Sequence, residues 1–247
     1  MNSDASLRWL VILLFSCCIL LFVPLLFTAI TTESLQEGFV NIGNNPWALA
    51  AFSDFTVGFV FNLTFICVRE ASDLYQVPGR KPSLWTAFFW VILALLVGNP
   101  AVLSYGIYQL VKAHSIKSAF LVTLPSDKTG SHSLSKTKWL YWLFQLAMLG
   151  LLIYYIVSCL IALMSQSIGD GWQYIQKDPW AYLTFFDNLL GVVFTSVYIA
   201  VSQHPKWIHV IAWWLTLWLF GNGVTAIFAL WLCWRKYSLG ESLLYRE

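Results

Sequence analysis

Charged residues are scarce in this chain, and they avoid its apolar runs. Asp, Glu, Lys and Arg make up 11% of its 247 residues, whereas apolar residues make up 59%. In ordinary soluble domains the charged fraction is nearer a quarter, so an ordinary soluble protein is excluded. No basic stripe suits nucleic acid, and we expect no nucleic-acid partner. The lipid bilayer is the expected partner of so apolar a chain.

The motifs that accompany known chemistry are also absent. The five cysteines all lie in apolar stretches without a CxxC pair, which excludes a disulfide framework and a zinc site. The four histidines form no HExxH motif, and no P-loop, nucleophile elbow or dinucleotide fingerprint occurs. We therefore expect no cofactor, no metal and no catalytic residues. Enzymatic activity stays open but disfavoured.

Six apolar stretches predict membrane-spanning helices, because about 20 apolar residues cross a hydrocarbon layer of ~30 Å. They are Trp9–Ile30, Trp47–Val68, Leu84–Val111, Trp139–Ser165, Trp180–Ser202 and Trp207–Trp234. Lipid cannot satisfy open backbone groups, and the short alternating segments of a membrane barrel are missing. The sequence thus predicts an all-α, multi-pass integral membrane protein with six transmembrane helices.

The second half of the sequence repeats the first. Residues 45–58 read NPWALAAFSDFTVG and residues 178–191 read DPWAYLTFFDNLLG, at an offset of 133. A second block, 90–99, recurs at 213–222. Three helices leave the membrane opposite their entry, so a direct duplication would insert upside down, as in many secondary transporters. We predict two three-helix repeats in an inverted arrangement. An extra crossing in the linker, making the repeats parallel, is the alternative.

The bounds of the predicted spans and repeats divide the chain into four parts. They are the first three-helix repeat (1–111), a basic Ser- and Lys-rich linker (112–138), the second repeat (139–235) and a tail (236–247). Lys and Arg divide almost evenly between the two faces of such a bundle. The positive-inside rule therefore only weakly favours an N-terminus on the inside. The identity of the membrane and assembly into a homo-oligomer are left open.

Two acidic residues lie inside predicted spans, Asp54 and Asp187, at equivalent positions of the repeat. An acid at the centre of a span costs at least ~2.5–3.5 kcal/mol on insertion scales, so it needs a partner or a water-filled cavity. Helical rise places Asn99 at the depth of Asp54, and Asn222 at that of Asp187. We therefore predict one Asp–Asn pair inside each repeat.

Two more polar residues lie on the same helix faces as the two acids, because Asn62 follows Asp54 and Thr195 follows Asp187 at helical spacing. The candidates for binding an ion or a substrate are Asp54, Asp187, Asn99, Asn222, Asn62 and Thr195. Two interpretations stay open. The acids titrate or bind ions, or the Asp–Asn bonds only fasten neighbouring helices.

Each half also carries a recognisable pattern. Six residues separate Pro46-Trp47 from Asp54, and Arg69-Glu70, Leu84-Trp85 and Gly98-Asn99 follow. This pattern resembles small three-helix membrane proteins of unknown function from plants and photosynthetic microbes. The resemblance spans each half but not the linker or the tail, and the second half departs from it at Ser202-Gln203. It implies a fold and no activity.

The odd number of predicted helices in each repeat and the two acids inside the spans favour a permease. It would carry a small solute or be coupled to an ion such as the proton. The alternatives are a structural or assembly protein without transport, and a membrane-embedded enzyme acting on lipid or isoprenoid. Aromatic residues make up 17% of the chain. They predict interfacial belts, with a platform for a pigment or isoprenoid ligand near Trp213, Trp214 and Trp218 as the second interpretation.

Overall fold

The computed structural model describes residues 3–71, 83–113, 115–121, 138–236 and 239–244, which are almost wholly helical and contain no strand. The helices of the first half and the linker are α1 (Ser3–Thr32), α2 (Leu35–Asn44), α3 (Pro46–Ala71), α4 (Leu84–Val97), α5 (Asn99–Lys112) and α6 (Ile116–Phe120). Those that follow are α7 (Lys138–Ser165), α8 (Ile168–Lys177), α9 (Pro179–Gln203), α10 (Trp207–Phe220), α11 (Gly223–Arg235) and α12 (Leu239–Leu244).

Four helices of the described chain are long and apolar enough to cross a membrane. Their spans are Asp4–Thr32, Pro46–Glu70, Trp139–Ser165 and Pro179–Gln203. They match four of the six predicted spans within a few residues. The all-helical class expected from composition is therefore confirmed, and the four long apolar helices are compatible with a membrane protein.

The two central helices, α3 and α9, lie side by side and run in the same direction. Trp47 and Trp180, at their first turns, belong to one apolar cluster. Sixteen residues after each start, Thr195 donates a hydrogen bond to Asn62 at 3.4 Å. Further along, the rings of Phe65 and Tyr198 lie 5.3 Å apart. Matching positions therefore meet along the whole interface.

Helices α1 and α7 flank this pair and run against it. The indole of Trp180, at the start of α9, donates to the backbone oxygen of Glu33, just after α1 ends. The indole of Trp47, at the start of α3, likewise donates to the backbone oxygen of Gln166, just after α7 ends. Both flanking helices therefore point the same way, opposite to α3 and α9.

The predicted third span of the first half, Leu84–Val111, is wrong, because the chain turns back at Gly98. The backbone N–H of Ser83, before α4, donates to the oxygen of Glu70 at the end of α3. Tyr105 on α5 donates to the carboxylate of that same Glu70 at 2.8 Å. Trp90 on α4 lies 5.6 Å from Tyr108 on α5, although ~27 Å would separate them along one straight helix. Helices α4 and α5 thus form a hairpin.

The predicted sixth span, Trp207–Trp234, is divided in the same way. Trp213 on α10 packs against Phe228 and Trp231 on α11, at 5.0 and 5.7 Å between ring centroids. The end of α11 accepts a hydrogen bond at the oxygen of Cys233 from Tyr141, near the start of α7. Helices of 14 residues are ~21 Å long, shorter than a ~30 Å hydrocarbon layer. The hairpins therefore reach only part of the way through the bundle.

The predicted inverted arrangement is also wrong, because matching helices of the two halves run in the same direction. Each half contains two full-length helices and one hairpin, so it begins and ends at the same end of the bundle. The parity argument failed because it counted each hairpin as a crossing. An inverted six-span arrangement predicts that the loops around Arg80 and Lys128 lie on opposite faces of the membrane. Both loops lie outside the described residues.

The two ends of the bundle differ in charge. One, which we name the basic end, carries Arg8, Arg69, Lys112, Lys117, Lys206, Arg235 and Lys236. The other, the acidic end, carries the short helices α2 and α8 with Glu33, Glu37, Asp170 and Asp178 beside a single described cation, Lys177. The segments 31–46 and 166–179 connect predicted spans, and we expected loops there, but both are largely helical. Ser34 and Ser167 cap these helices, accepting from the N–H of Glu37 and of Asp170.

Candidate functional site

The turn of each hairpin is a glycine in a conformation that other residues rarely adopt. Gly98 has φ 75° and Gly221 has φ 66°. Each also lies against a carboxylate of the opposite half. A Cβ on Gly98 would fall 2.1 Å from Oδ2 of Asp187, and one on Gly221 would fall 2.2 Å from Oδ2 of Asp54. Only glycine meets both requirements.

Asp187, on α9, binds the tip of the α4–α5 hairpin. Its Oδ1 accepts a hydrogen bond of 2.8 Å from the backbone N–H of Asn99, and its backbone oxygen accepts 2.9 Å from the Asn99 side chain. Pro100 follows and has no N–H to offer, so the preceding amide makes the bond. The carboxylate thereby satisfies a free N–H in the first turn of α5.

Asp54, on α3, binds the tip of the α10–α11 hairpin with both carboxylate oxygens. Oδ1 accepts 3.1 Å from the backbone N–H of Gly223, and Oδ2 accepts 2.6 Å from the side chain of Asn188. The bonds continue, because Asn188 accepts from Asn222 at 2.5 Å and Asn222 accepts from Thr225 at 2.9 Å. All five residues are buried.

The predicted partners are therefore exchanged between the halves. We expected Asp54 to pair with Asn99 and Asp187 with Asn222. Instead, Asp187 is hydrogen-bonded to Asn99, and Asp54 reaches Asn222 through Asn188. The depth argument was sound, but it could not tell which half supplies the partner, because parallel α3 and α9 bring both acids to similar depth.

The remaining candidates, Asn62 and Thr195, lie between the two tips. Asn62 donates 3.2 Å to the side-chain oxygen of Asn99 and accepts from Thr195. Both residues are fully buried at the α3–α9 interface. The six predicted residues thus fall into two hydrogen-bonded groups inside the bundle, which we name together the polar layer. One group contains Asp187, Asn99, Asn62 and Thr195. The other contains Asp54 and Asn222, with the second-half residues Asn188, Gly223 and Thr225 added to it.

Each carboxylate faces the positive end of a helix. The free N–H groups at a helix N-terminus carry about half an elementary charge, and α5 and α11 both direct this end at an Asp of the other half. A proton or a cation that reached the carboxylate would weaken its attraction for the tip. The arrangement can therefore couple occupancy of the acid to the position of a hairpin.

A cavity of ≈ 390 Å³ reaches Asp54 from the acidic end. Asp54, Asn188 and Gly221 lie on its lining. Its aromatic walls consist of Trp47, Tyr155, Trp172, Phe185, Trp218 and Phe220. Trp218 is thus the member of the predicted aromatic platform that lines this space, whereas Trp213 packs inside the second hairpin. Asp187 is not among the lining residues.

Tyr155, on α7, fixes the tip beside this cavity. Its hydroxyl donates 2.8 Å to the backbone oxygen of Phe220. Its ring lies so close to Gly223 that a Cβ there would fall 2.4 Å from the ring. The matching residue of the first half is Phe22, which has no hydroxyl. Sequence comparison of the halves missed Tyr155 and Asn188 for this reason, since their counterparts, Phe22 and Phe55, are apolar. A polar residue within an apolar span was the signal available.

Electrostatics at the acidic end favour cations. Partial burial, with the nearby Asp178 and Glu37, raises the pKa of Glu33 above its usual value. Burial, Asp178 and Glu33 also raise the pKa of the Tyr174 hydroxyl. Glu37 differs, because hydrogen bonds from Ser34 lower its pKa. The described residues contain no group of three or more His, Cys, Asp or Glu arranged to hold a metal ion.

No protein-family model, curated protein or solved structure matches the chain. The resemblance to small three-helix membrane proteins therefore stays a prediction. Any argument about function rests on the hairpin tips, the two carboxylates and the cavity.

Proposed function

We propose that the chain is a permease for small solutes or ions, built as two parallel repeats that each contain two spans and one re-entrant hairpin. The observation that carries the proposal is the cavity, which extends from the acidic end to the buried carboxylate of Asp54. Non-helical backbone at membrane depth is tolerated only where protein buries it or where it lines a cavity. Half-helices whose N-termini face charged groups near the midplane are typical of transporters.

The charge of the two ends supports an orientation. With four spans, the N-terminus, the ends of both hairpins and the start of α12 all belong to the basic end. The positive-inside rule then places that end, with Arg8, Arg69 and Lys206, in the cytoplasm. This is a far stronger asymmetry than the near balance that six spans gave, and it supports an N-terminus on the inside.

Labelling of introduced cysteines tests this topology. Gln36→Cys on α2 and Gln173→Cys on α8 both replace exposed side chains at the acidic end. In cells expressing variants without native cysteines, a membrane-impermeant maleimide should label both from the outside. Labelling of one from each side would restore the inverted six-span arrangement and overturn the four-span topology.

A flux assay tests the permease. Proteoliposomes containing a trapped pH-sensitive dye should show proton flux under an imposed membrane potential. Asp54→Asn keeps size and one acceptor but removes the charge, so the variant should insert and fold yet lose this flux. The same is expected of Asp187→Asn. If the double Asn variant matched the parent in flux and in thermal stability, transport through these residues would be ruled out.

Water access to the cavity gives a second readout. Cys159 lines the cavity, whereas Cys17 is exposed on the outer surface of α1. A variant retaining only Cys159 should react with a charged methanethiosulfonate reagent in liposomes, and a variant retaining only Cys17 should not. An unreactive Cys159, together with absent proton flux from the wild-type protein, would contradict the permease.

The second candidate is a structural or assembly protein without transport. One observation favours it. Asn62, Asn99, Asn188 and Asn222 all have hydrogen-bond partners within the protein, so the polar layer needs no ligand to be satisfied. This candidate predicts that Asp→Asn is tolerated at both positions and that Asp→Leu destabilises by about 1–2 kcal/mol per lost bond.

A further inference from the structure

The cavity beside Asp54 contains a negative group and no positive one. No Lys, Arg or His is among the described residues that line it. The carboxylate accepts hydrogen bonds from the side chain of Asn188 and from the backbone N–H groups of Gly223 and Asn222. A carboxylate has about four acceptor positions, so it can still receive an N–H from a ligand. An anion would be repelled at this position, and a cation would be attracted.

The walls of the cavity suit an apolar group next to such a cation. Three tryptophans, two phenylalanines and one tyrosine line it, and the tyrosine hydroxyl is already bonded to Phe220. A sugar would have few polar groups with which to form hydrogen bonds in this cavity. Aromatic faces attract organic cations, and tryptophan does so most strongly. The volume of ≈ 390 Å³ lies within the roughly 300–1,000 Å³ of small-molecule sites.

Access to the cavity also favours a cation with an apolar part. Trp172 on α8 and Leu219 near the tip of α10 are both on the lining and both exposed. These two side chains make the opening of the cavity apolar, and the neighbouring surface of the bundle is apolar as well. It opens beside α8, which carries Asp170 and is followed by Asp178. Fixed negative charge at a cleft raises the local concentration of cations.

We propose that this cavity binds a small organic ammonium ion bearing an aromatic or aliphatic group, with Asp54 as its counter-ion. The ammonium lies at the carboxylate, where Asn188 holds Oδ2 in place. The apolar group lies between the tryptophans of α3, α8 and α10. The proposal rests on the permease function only in identifying the class of molecule carried, because binding is measurable without transport.

Binding of benzylammonium to the purified protein in uncharged maltoside micelles tests the proposal. Benzyl alcohol has nearly the same shape but no charge. Titration calorimetry or quenching of tryptophan fluorescence should give an affinity for benzylammonium at least about tenfold higher than for benzyl alcohol, which corresponds to ~1.4 kcal/mol. Equal affinities would overturn the proposal.

Variants assign the site. Asp54→Asn should weaken benzylammonium binding about tenfold or more, while Asp4→Asn, at the start of α1 on the basic end and away from the cavity lining, is the matched control and should leave it unchanged. Trp172→Ala, a substitution at the surface of α8, covers the case in which Asp54→Asn does not fold, and it should weaken binding severalfold. If Asp4→Asn weakened binding as much as Asp54→Asn, or if Trp172→Ala had no effect, the cavity would not be the site.

The two proposals can fail separately. Benzylammonium binding that depends on Asp54, without flux of protons or benzylammonium in proteoliposomes, would overturn the permease and leave a binding protein. Proton flux that depends on Asp54, without benzylammonium binding, would overturn the ammonium site and leave the permease.

Discussion

Asp54 and Asp187 occupy matching places in the two halves, yet their surroundings differ. Asp187 binds the backbone of Asn99 in the first-half hairpin, and Asn62 completes the contact. Asp54 binds Gly223 and Asn188, and the bonds continue through Asn222 to Thr225. The shared part, a carboxylate at a hairpin tip, holds the bundle together. The differing part, Asn188 with Tyr155, accompanies the cavity. A carboxylate at a hairpin tip is thus common to both halves, whereas the cavity of ≈ 390 Å³ lies beside Asp54.

The glycines at the hairpin tips test what the halves share, and they should give the largest effect. Gly98→Ala and Gly221→Ala each place a Cβ where φ is positive and where a carboxylate oxygen lies. Backbone strain of about 1–3 kcal/mol adds to displacement of the Asp, so both should lose more than about 2 kcal/mol of stability. Thermal unfolding in detergent measures the loss.

Gly150→Ala on α7 is the control for this pair. No atom lies within 4 Å of the added Cβ there, and alanine in a helix is favoured over glycine by roughly 0.5–1 kcal/mol. Comparable unfolding temperatures for all three variants would contradict the described tips.

Substitution of Asn188 tests what differs between the halves. Asn188→Leu removes the partner of both Asp54 and Asn222, leaving buried polar groups unsatisfied at a cost of about 1–3 kcal/mol. Phe55→Leu changes the matching residue of the first half and breaks no hydrogen bond, so it should cost less. Denaturant or thermal unfolding ranks the two variants, and the reverse order would argue against the chain of bonds at Asp54.

Tyr155→Phe makes the second half resemble the first, where Phe22 lies at the matching position. It removes the hydrogen bond to Phe220 and keeps the ring, so we expect a loss of about 0.5–1.5 kcal/mol. Tyr154→Phe, next to it and half-exposed, should have little effect. A hydrogen-exchange measurement should also show faster exchange at the α10–α11 tip in the Tyr155 variant alone.

The smallest effect concerns the caps of α2 and α8. Hydrogen bonds from Ser34 lower the pKa of Glu37, so folding favours its ionised form. The ionised Glu37 carboxylate therefore stabilises the folded state at pH values above the usual pKa of a glutamate. This stabilisation is lost as the pH falls through the lowered pKa of Glu37. Glu37→Gln keeps the cap geometry without the titration. The variant should therefore lose a part of the acid-induced fall in unfolding temperature, and identical pH profiles would contradict the cap.

Much of the candidate site could be predicted from sequence. A polar residue within an apolar helix has few tolerable environments, so Asp54, Asp187, Asn99 and Asn222 were enough to identify the polar layer. Because the sequence repeats, we also expected two equivalent pairs, each of one Asp and one Asn. Which half supplies each partner could not be predicted, because it depends on whether α3 and α9 run parallel, and hydropathy has no direction.

The predicted number of spans was wrong for a related reason. Leu84–Val111 is long enough for one tilted span or for two half-helices, and average hydropathy does not distinguish them. The decisive feature is local. Gly98 before Asn99-Pro100 allows a positive φ and a new helix start, and Gly221 before Asn222 recurs in the second half. The short helices α2 and α8 at the acidic end were not predicted, although Ser34 with Glu37 three residues later is a capping signature.

The exchange of partners across the bundle has a consequence for how such a chain could arise. Neither half closes its own hairpin, because each tip needs the aspartate of the other. One half on its own would need a second half, lying in the same orientation, to satisfy its tip. Since each half enters and leaves at the basic end, fusing two copies would need no added crossing and no flipped subunit. Residues 1–111 and 139–247 expressed as separate chains in one cell should accordingly find each other and assemble, whereas either fragment alone would be left with an unsatisfied tip and an orphaned acid.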